Sequence, residues 1–206
     1  NAFGVDDESL VLIGYSKGAV DVLEAVTTYP EIRSKIAAIV SLAGAIGGSA
    51  LANVTDQSDA ALLRHWPSAR CTDGDGGAVE SLRPATRQAW LARNPPPAEV
   101  RSYSIVAMPE PENVSTVLQP THAKLARIDE RNDSQLLFYD QIIPGSALLA
   151  YLNADHWSVA VPIARSHEFI GAALVDRNTY PREALVEAIL RIVEEELSGA
   201  AGNTSS

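Results

Sequence analysis

The stretch Leu10-Val11-Leu12-Ile13-Gly14-Tyr15-Ser16-Lys17-Gly18-Ala19-Val20-Asp21-Val22-Leu23-Glu24-Ala25-Val26 decides the fold. The branched apolar run Leu10 to Ile13 has the length and composition of a strand buried on both faces. Ala19, Val22, Leu23 and Val26 then recur at helical spacing, so the strand passes almost directly into a helix with its apolar side inward. Between the two periodicities lies Gly14-Tyr15-Ser16-Lys17-Gly18, a G-x-S-x-G pattern. A strand that becomes a helix within a residue or two forces the central residue into a strained conformation, and the flanking glycines let neighbouring backbone come close. The serine hydroxyl is left at the tip of the turn. It stands beside a helix N-terminus, where unpaired N–H groups favour the negative charge that develops in acyl transfer.

In this context the stretch resembles the nucleophile turn of the α/β-hydrolases, and of their lipase and esterase branch in particular. The resemblance implies a mostly parallel sheet flanked by helices, with Ser16 as nucleophile and the backbone N–H of Lys17 as an oxyanion donor. Lysine replaces the glutamine, methionine or leucine more usual at that place, but only its backbone N–H is required. In the family several strands precede this turn, build half the sheet and supply the second oxyanion donor. Here the strand begins within about ten residues of Asn1, so residues 1–206 read as a partial domain lacking those strands.

A chain of 206 residues with 46% hydrophobic and 20% charged content is sized for one globular domain. No segment approaches the roughly eighteen apolar residues of a membrane span. The net charge of −10 disfavours nucleic acid and anionic lipid surfaces as partners. Cys71 is the only cysteine, which excludes an internal disulfide framework and leaves the compartment open.

Tyr29-Pro30 stops the first helix, and Ile36 to Ala43 reads as a second strand, giving a βαβ unit with parallel strands. Gly44-Ala45-Ile46-Gly47-Gly48-Ser49 leaves that strand at the catalytic edge and resembles a G-S stretch of bacterial lipases. Ser49 there is either a substrate contact or a cap for the next helix. Residues 50–99 read as a helical cap, with helices over Asp56 to Trp66 and Glu80 to Asn94. Its Leu62, Leu63, Trp66, Trp90 and Leu91 would line an apolar pocket or pack the cap onto the body. Asp73-Gly74-Asp75-Gly76 lacks most ligand positions of a calcium loop and reads as a turn. Further strands are expected at Ser102 to Met108 and Ala147 to Leu152, a final helix at Pro181 to Leu197, and a disordered tail over residues 200–206.

A serine hydroxyl needs a base, and the base an orienting acid. Of the four histidines, His156 alone follows directly on an expected core strand; His65, His122 and His167 read as packing or surface residues. The order Ser, Asp, His is the one the resembled fold uses. Two acids qualify. Asn132-Asp133-Ser134 resembles the family's Asn-Asp-Gly pattern, and Asp140-Gln141-Ile142-Ile143-Pro144 its Asp-Gly-x-Val-Pro pattern. A loop, a crossing and a strand between acid and base take on the order of twenty residues. Asp133 stands 23 positions before His156 and Asp140 stands 16, so spacing favours Asp133 and leaves Asp140 as the alternative. Tyr15, Trp66, Trp90 and Trp157 are the expected substrate contacts.

The expected activity is hydrolysis of carboxylic esters or lipids through an acyl-enzyme, requiring no metal and no organic cofactor. Thioester, amide or acyl-transfer chemistry would use the same three residues, and an inactive hydrolase-like binding module is the reading from another class.

Overall fold

The computed structural model of the chain describes residues 9–53, 77–161, 176 and 180–203. Leu10–Tyr15 (β1), Ile36–Leu42 (β2), Arg101–Ala107 (β3) and Ala147–Leu152 (β4) form one sheet in the order β1-β2-β3-β4, parallel throughout. The connecting helices are Lys17–Thr28 (α1), Gly77–Ser81 (α2), Pro84–Arg93 (α3), Gln119–Leu125 (α4) and His156–Ala160 (α5), and Arg182–Asn203 (α6) follows β4.

Side chains alternate across the pleat, so a strand can feed two cores at once. In β2, Ala38, Val40 and Leu42 join a cluster with Tyr103, Ile105, Leu152 and the α6 residues Ile189 and Val193. Ile39 joins a different cluster, with Ala19, Leu23 and Val26 of α1 and with Ile46 and Ile143. The sheet is therefore covered by α1 on one face and α6 on the other, the cover that parallel strands demand. All four expected strands are present.

Differences lie at the edges. β1 has the apolar composition of a strand buried on both faces, yet Leu10 and Ile13 are 39% and 37% exposed. Among the described residues β1 pairs only with β2, and an edge strand has one flank open. The helix expected over Glu80 to Asn94 is broken into α2 and α3. Pro84 is the cause: the residue before a proline is driven out of the α region, and Arg83 sits at φ −63°, ψ 133°. The expected stop of the last helix at Leu197 is overrun, because α6 continues through Gly199 to Asn203. Ala200 and Ala201 are strong helix formers and offset the glycine. The expected disordered tail is thus corrected to helix over residues 200–203, while 204–206 lie outside the described residues. The expected helix over Asp56 to Trp66, together with Cys71 and the Asp73–Gly76 turn, also falls outside them.

The two glycines of the serine turn are not equivalent. A Cβ on Gly14 would lie 2.4 Å from the Ala19 Cα, whereas one on Gly18 would meet nothing within 4 Å among the described residues. Gly14→Ala is therefore expected to cost about 2 kcal/mol or more through overpacking against backbone that cannot yield. Gly18→Ala, inside the first turn of α1, should be neutral or stabilising by up to roughly 0.5 kcal/mol. Urea unfolding of the two variants checks this contrast.

Candidate active site

The parallel sheet sends the C-terminal ends of its strands to one rim, and the site is assembled there. β1 ends at Tyr15 and α1 begins at Lys17, so Ser16 alone makes the junction. Its backbone is at φ 53°, ψ −126°, a sparsely populated region for a residue with a Cβ. The Ser16 N–H reaches the Leu42 carbonyl at 3.3 Å, and its own carbonyl accepts from the N–H of Ala45 at 3.0 Å. These bonds tie the turn to the end of β2.

His156 opens α5, directly after β4. Its Nε2 lies 2.9 Å from the Ser16 Oγ, and its Nδ1 lies 2.6 Å from Asp133 Oδ2. Asp133 Oδ1 accepts the N–H groups of Gln135 at 2.9 Å and Leu136 at 2.7 Å. The hydrogen-bond network assigns the tautomer in which Nδ1–H donates to Asp133 and Nε2 accepts from the Ser16 hydroxyl. Asp133 is fully buried and His156 is 5% exposed. The main chain joins the same pair, because the His156 N–H donates to the Asp133 carbonyl at 2.8 Å.

The structure thus brings Ser16, His156 and Asp133 into one hydrogen-bonded line and leaves Asp140 out of it. Asp140 lies in a 3-10 turn, Phe138–Gln141, and packs on the loop after β2, where Gly47 N–H donates to the Asp140 carbonyl at 2.8 Å. Its carboxylate takes no hydrogen bond among the described residues and is only 7% exposed. Burial raises it from an ordinary 3.8 to about 6.

The remaining expected site residues divide. Tyr15 is committed within the fold, its hydroxyl donating to the His156 carbonyl at 2.6 Å. Trp90 is half-buried and packs against the α1-side core with Arg87 4.8 Å over its ring. Leu91 packs on the same core. Arg87 is buried, donates to the Ile46 carbonyl at 3.1 Å and pairs with Glu24, fastening α3 to α1 and to the loop after β2. Trp157 is half-buried beside His156 on α5. Lys17 offers its backbone at the start of α1 while its ammonium pairs with Asp21 at 2.5 Å. Ser49 donates to the Gln135 carbonyl at 2.6 Å and accepts from the Leu51 N–H, which makes it a cap and a brace. Trp66, Leu62, Leu63, His65 and His167 fall outside the described residues.

Two supporting residues escaped the sequence reading. Asp155, fully buried, caps α5 by accepting from Ser158 N–H at 2.9 Å and Ser158 Oγ at 2.8 Å. Its other oxygen accepts from Ser115 N–H at 2.9 Å and Ser115 Oγ at 2.5 Å. An aspartate directly before a helix is an N-cap signal, so this role was legible. Gln141 is buried and pairs through its amide with both the N–H and the carbonyl of Ala107, at 2.8 and 2.9 Å. No local signal announces that contact.

No family model matches the chain, nor does any curated protein. Among solved structures it is similar to a carboxyl esterase of metagenomic origin, with a TM-score of 0.86 and 41% identity over 95% of this chain and 59% of that one. The chain therefore spans somewhat under two thirds of that esterase's length. It also resembles the mature form of a Bacillus licheniformis lipase, with a TM-score of 0.61 and 18% identity over 80% of this chain and 64% of the other. No helix among the described residues is long and apolar enough to cross a membrane.

Two stability predictions follow from the acid loop. Ser134 holds φ 84°, a glycine-like conformation at the place where the resembled pattern has glycine, and its buried hydroxyl finds no partner among the described residues. Ser134→Gly is expected to stabilise the protein by roughly 1 to 2 kcal/mol, by releasing backbone strain and an unpaired polar group. Asp140, raised by burial, favours the folded state while protonated; that contribution is complete below about pH 4 and lost as pH rises through about 6. Asp140→Asn should match the wild type near pH 3.5 and exceed it by at most about 3 kcal/mol at pH 8. Denaturant unfolding of both proteins at the two pH values reads the difference.

Proposed function

The chain belongs to the α/β-hydrolase fold family, and on that premise we propose that it is a serine hydrolase of carboxylic esters acting through an acyl-enzyme on Ser16. The observation that carries the reading is the unbroken line Ser16 Oγ, His156 Nε2, His156 Nδ1, Asp133 Oδ2, with spacings of 2.9 and 2.6 Å. Esters are the favoured substrate class because the 41% identical relative is a carboxyl esterase.

In the proposed reaction His156 Nε2 takes the hydroxyl proton as Ser16 Oγ attacks the ester carbonyl carbon. The carbonyl oxygen becomes an anion beside the N-terminus of α1, where the N–H of Lys17 donates to it. Asp133 holds the imidazolium through Nδ1. Collapse of the tetrahedral species breaks the carbon–oxygen bond, and His156 returns the proton to the departing alkoxide. Water then adds to the acyl-enzyme with His156 as base, releasing the acid and restoring Ser16. The pieces are arranged in advance: the carboxylate is already oriented by two backbone N–H groups and the imidazole by its own main chain. Little reorganisation is then needed at the moment of charge development. We extend the proposal to the stretch 50–99, read as a cap over the rim, on the ground that it leaves the sheet at the end of β2 beside Ser16.

Wild-type protein is expected to react with a fluorophosphonate probe and to hydrolyse p-nitrophenyl acetate, while Ser16→Ala does neither. Asp133→Asn should lower kcat roughly 10³- to 10⁴-fold, since the amide favours the wrong imidazole tautomer. Asp140→Asn should leave kcat little changed. Probe labelling that survives Ser16→Ala, or a larger rate loss at Asp140 than at Asp133, would overturn the assignment; a wild type inert to the probe would favour a binding module instead.

A further inference from the structure

Tyr15 is the last residue of β1 and the immediate neighbour of Ser16. In a strand–turn–helix junction the side chain before the turn is free, on sequence grounds, to face a substrate. Here it turns instead toward the base. The phenol donates to the His156 carbonyl at 2.6 Å, and the ring stacks obliquely on the imidazole with centroids 5.1 Å apart and a 33° tilt.

That bond closes a ring of connections. Covalent bonds join Tyr15 to Ser16, the Ser16 hydroxyl meets His156 Nε2, and the His156 carbonyl returns to the Tyr15 hydroxyl. Nucleophile and base stand 140 positions apart in the chain, each just beyond a strand at one of the two edges of the described sheet. Any relative sliding of β1 and β4 would separate them. The other restraints on His156 do not reach β1: its N–H goes to the Asp133 carbonyl, and the preceding Asp155 is bonded to Ser115 and Ser158. Among the described residues, only the Tyr15 hydroxyl ties the backbone of the base to the strand that carries the nucleophile.

The donor is also secured chemically. Burial drives the phenol's ionisation far above its ordinary range, and the nearby Asp133 and Asp155 carboxylates push it the same way, so the hydroxyl keeps its proton throughout the working pH range.

We propose that Tyr15 is a positioning residue, whose hydroxyl fixes the distance between Ser16 and His156 by holding the His156 carbonyl, and not a substrate contact. This rests on the reading of Ser16 and His156 as nucleophile and base. Losing one buried neutral hydrogen bond, with the reacting atoms left slightly misplaced, corresponds to a rate loss of roughly five- to tenfold. A substrate contact would instead move KM.

The test compares wild type, Tyr15→Phe and a protein carrying 4-aminophenylalanine at position 15. The last restores an N–H donor at the same place on the ring. With p-nitrophenyl acetate, Tyr15→Phe is expected to lower kcat roughly five- to tenfold at unchanged KM, and to slow fluorophosphonate labelling by a similar factor. The amino analogue should recover most of both. Thermal unfolding of each protein checks that the ring's packing is kept, and should Tyr15→Phe fail to fold, the amino analogue against 4-methoxyphenylalanine makes the same comparison with the bulk retained. The proposal fails if the wild type reacts and Tyr15→Phe reacts as fast, if KM rises while kcat holds, or if the donor analogue gives no recovery. A wild type that is not labelled at Ser16 is the separate outcome that removes the nucleophile reading itself.

Discussion

The structure depends on one close approach, between the backbone of Gly14 at the end of β1 and that of Ala19 in the first turn of α1. A side chain at position 14 could not fit there, since its Cβ would lie 2.4 Å from the Ala19 Cα. Because strand and helix can touch, the connection between them shrinks to a single residue, and that residue is forced to φ 53°. The strain at Ser16 is local, but the contacts that hold it are not. Leu42 at the end of β2 and Ala45 beyond it bond to both sides of the serine peptide. The loop that supplies Ala45 is braced in turn by Arg87 on the Ile46 carbonyl and by Asp140 on Gly47. A strained conformation persists when its surroundings over-determine it, and here three separate segments do so.

Two buried carboxylates flank His156 in different ways, and neither pairs with a lysine or arginine among the described residues. Asp133 receives two backbone N–H groups and the imidazole; Asp155 receives two backbone N–H groups and two serine hydroxyls. Burying a carboxylate is costly unless its lone pairs are filled, and charge-assisted bonds are the stronger kind. Neutral donors fill them without creating an ion pair that would compete for the proton. The second Asp133 oxygen is left for His156 Nδ1.

The frame of the fold was legible because it rests on local patterns. The apolar run before Gly14, the helical spacing after Ser16 and the buried run Ile36 to Leu42 follow from periodicity, and the placement of His156 after the last strand follows from parallel topology. What escaped depends on contacts between residues far apart in sequence. Nothing near Tyr15 announces that its hydroxyl will meet His156, and nothing near Gln141 announces that its amide will complete the end of β3. Pro84 was legible in principle, and the helix there should have been divided. The exposure of Leu10 and Ile13 illustrates a different limit, since composition specifies a strand suited to burial but not which neighbours it has.

Asp133 and Asp140 differ in environment more than in position along the chain. Both aspartates lie in the same excursion between β3 and β4, both are buried, and both approach the rim of the sheet. At Asp133 the chain turns sharply through Ser134, and that turn aims the N–H groups of Gln135 and Leu136 at one carboxylate oxygen while leaving the other for a single outside partner. At Asp140 the backbone carbonyl is used instead, by Gly47, and the carboxylate faces the loop without a donor among the described residues, so that burial raises its pKa to about 6. An acid that is to hold an imidazolium must be ionised before the proton arrives. Two backbone amides face the Asp133 carboxylate, whereas the Asp140 carboxylate takes no hydrogen bond among the described residues. The same side chain on the same excursion thus takes two characters, set by which way the local N–H groups point.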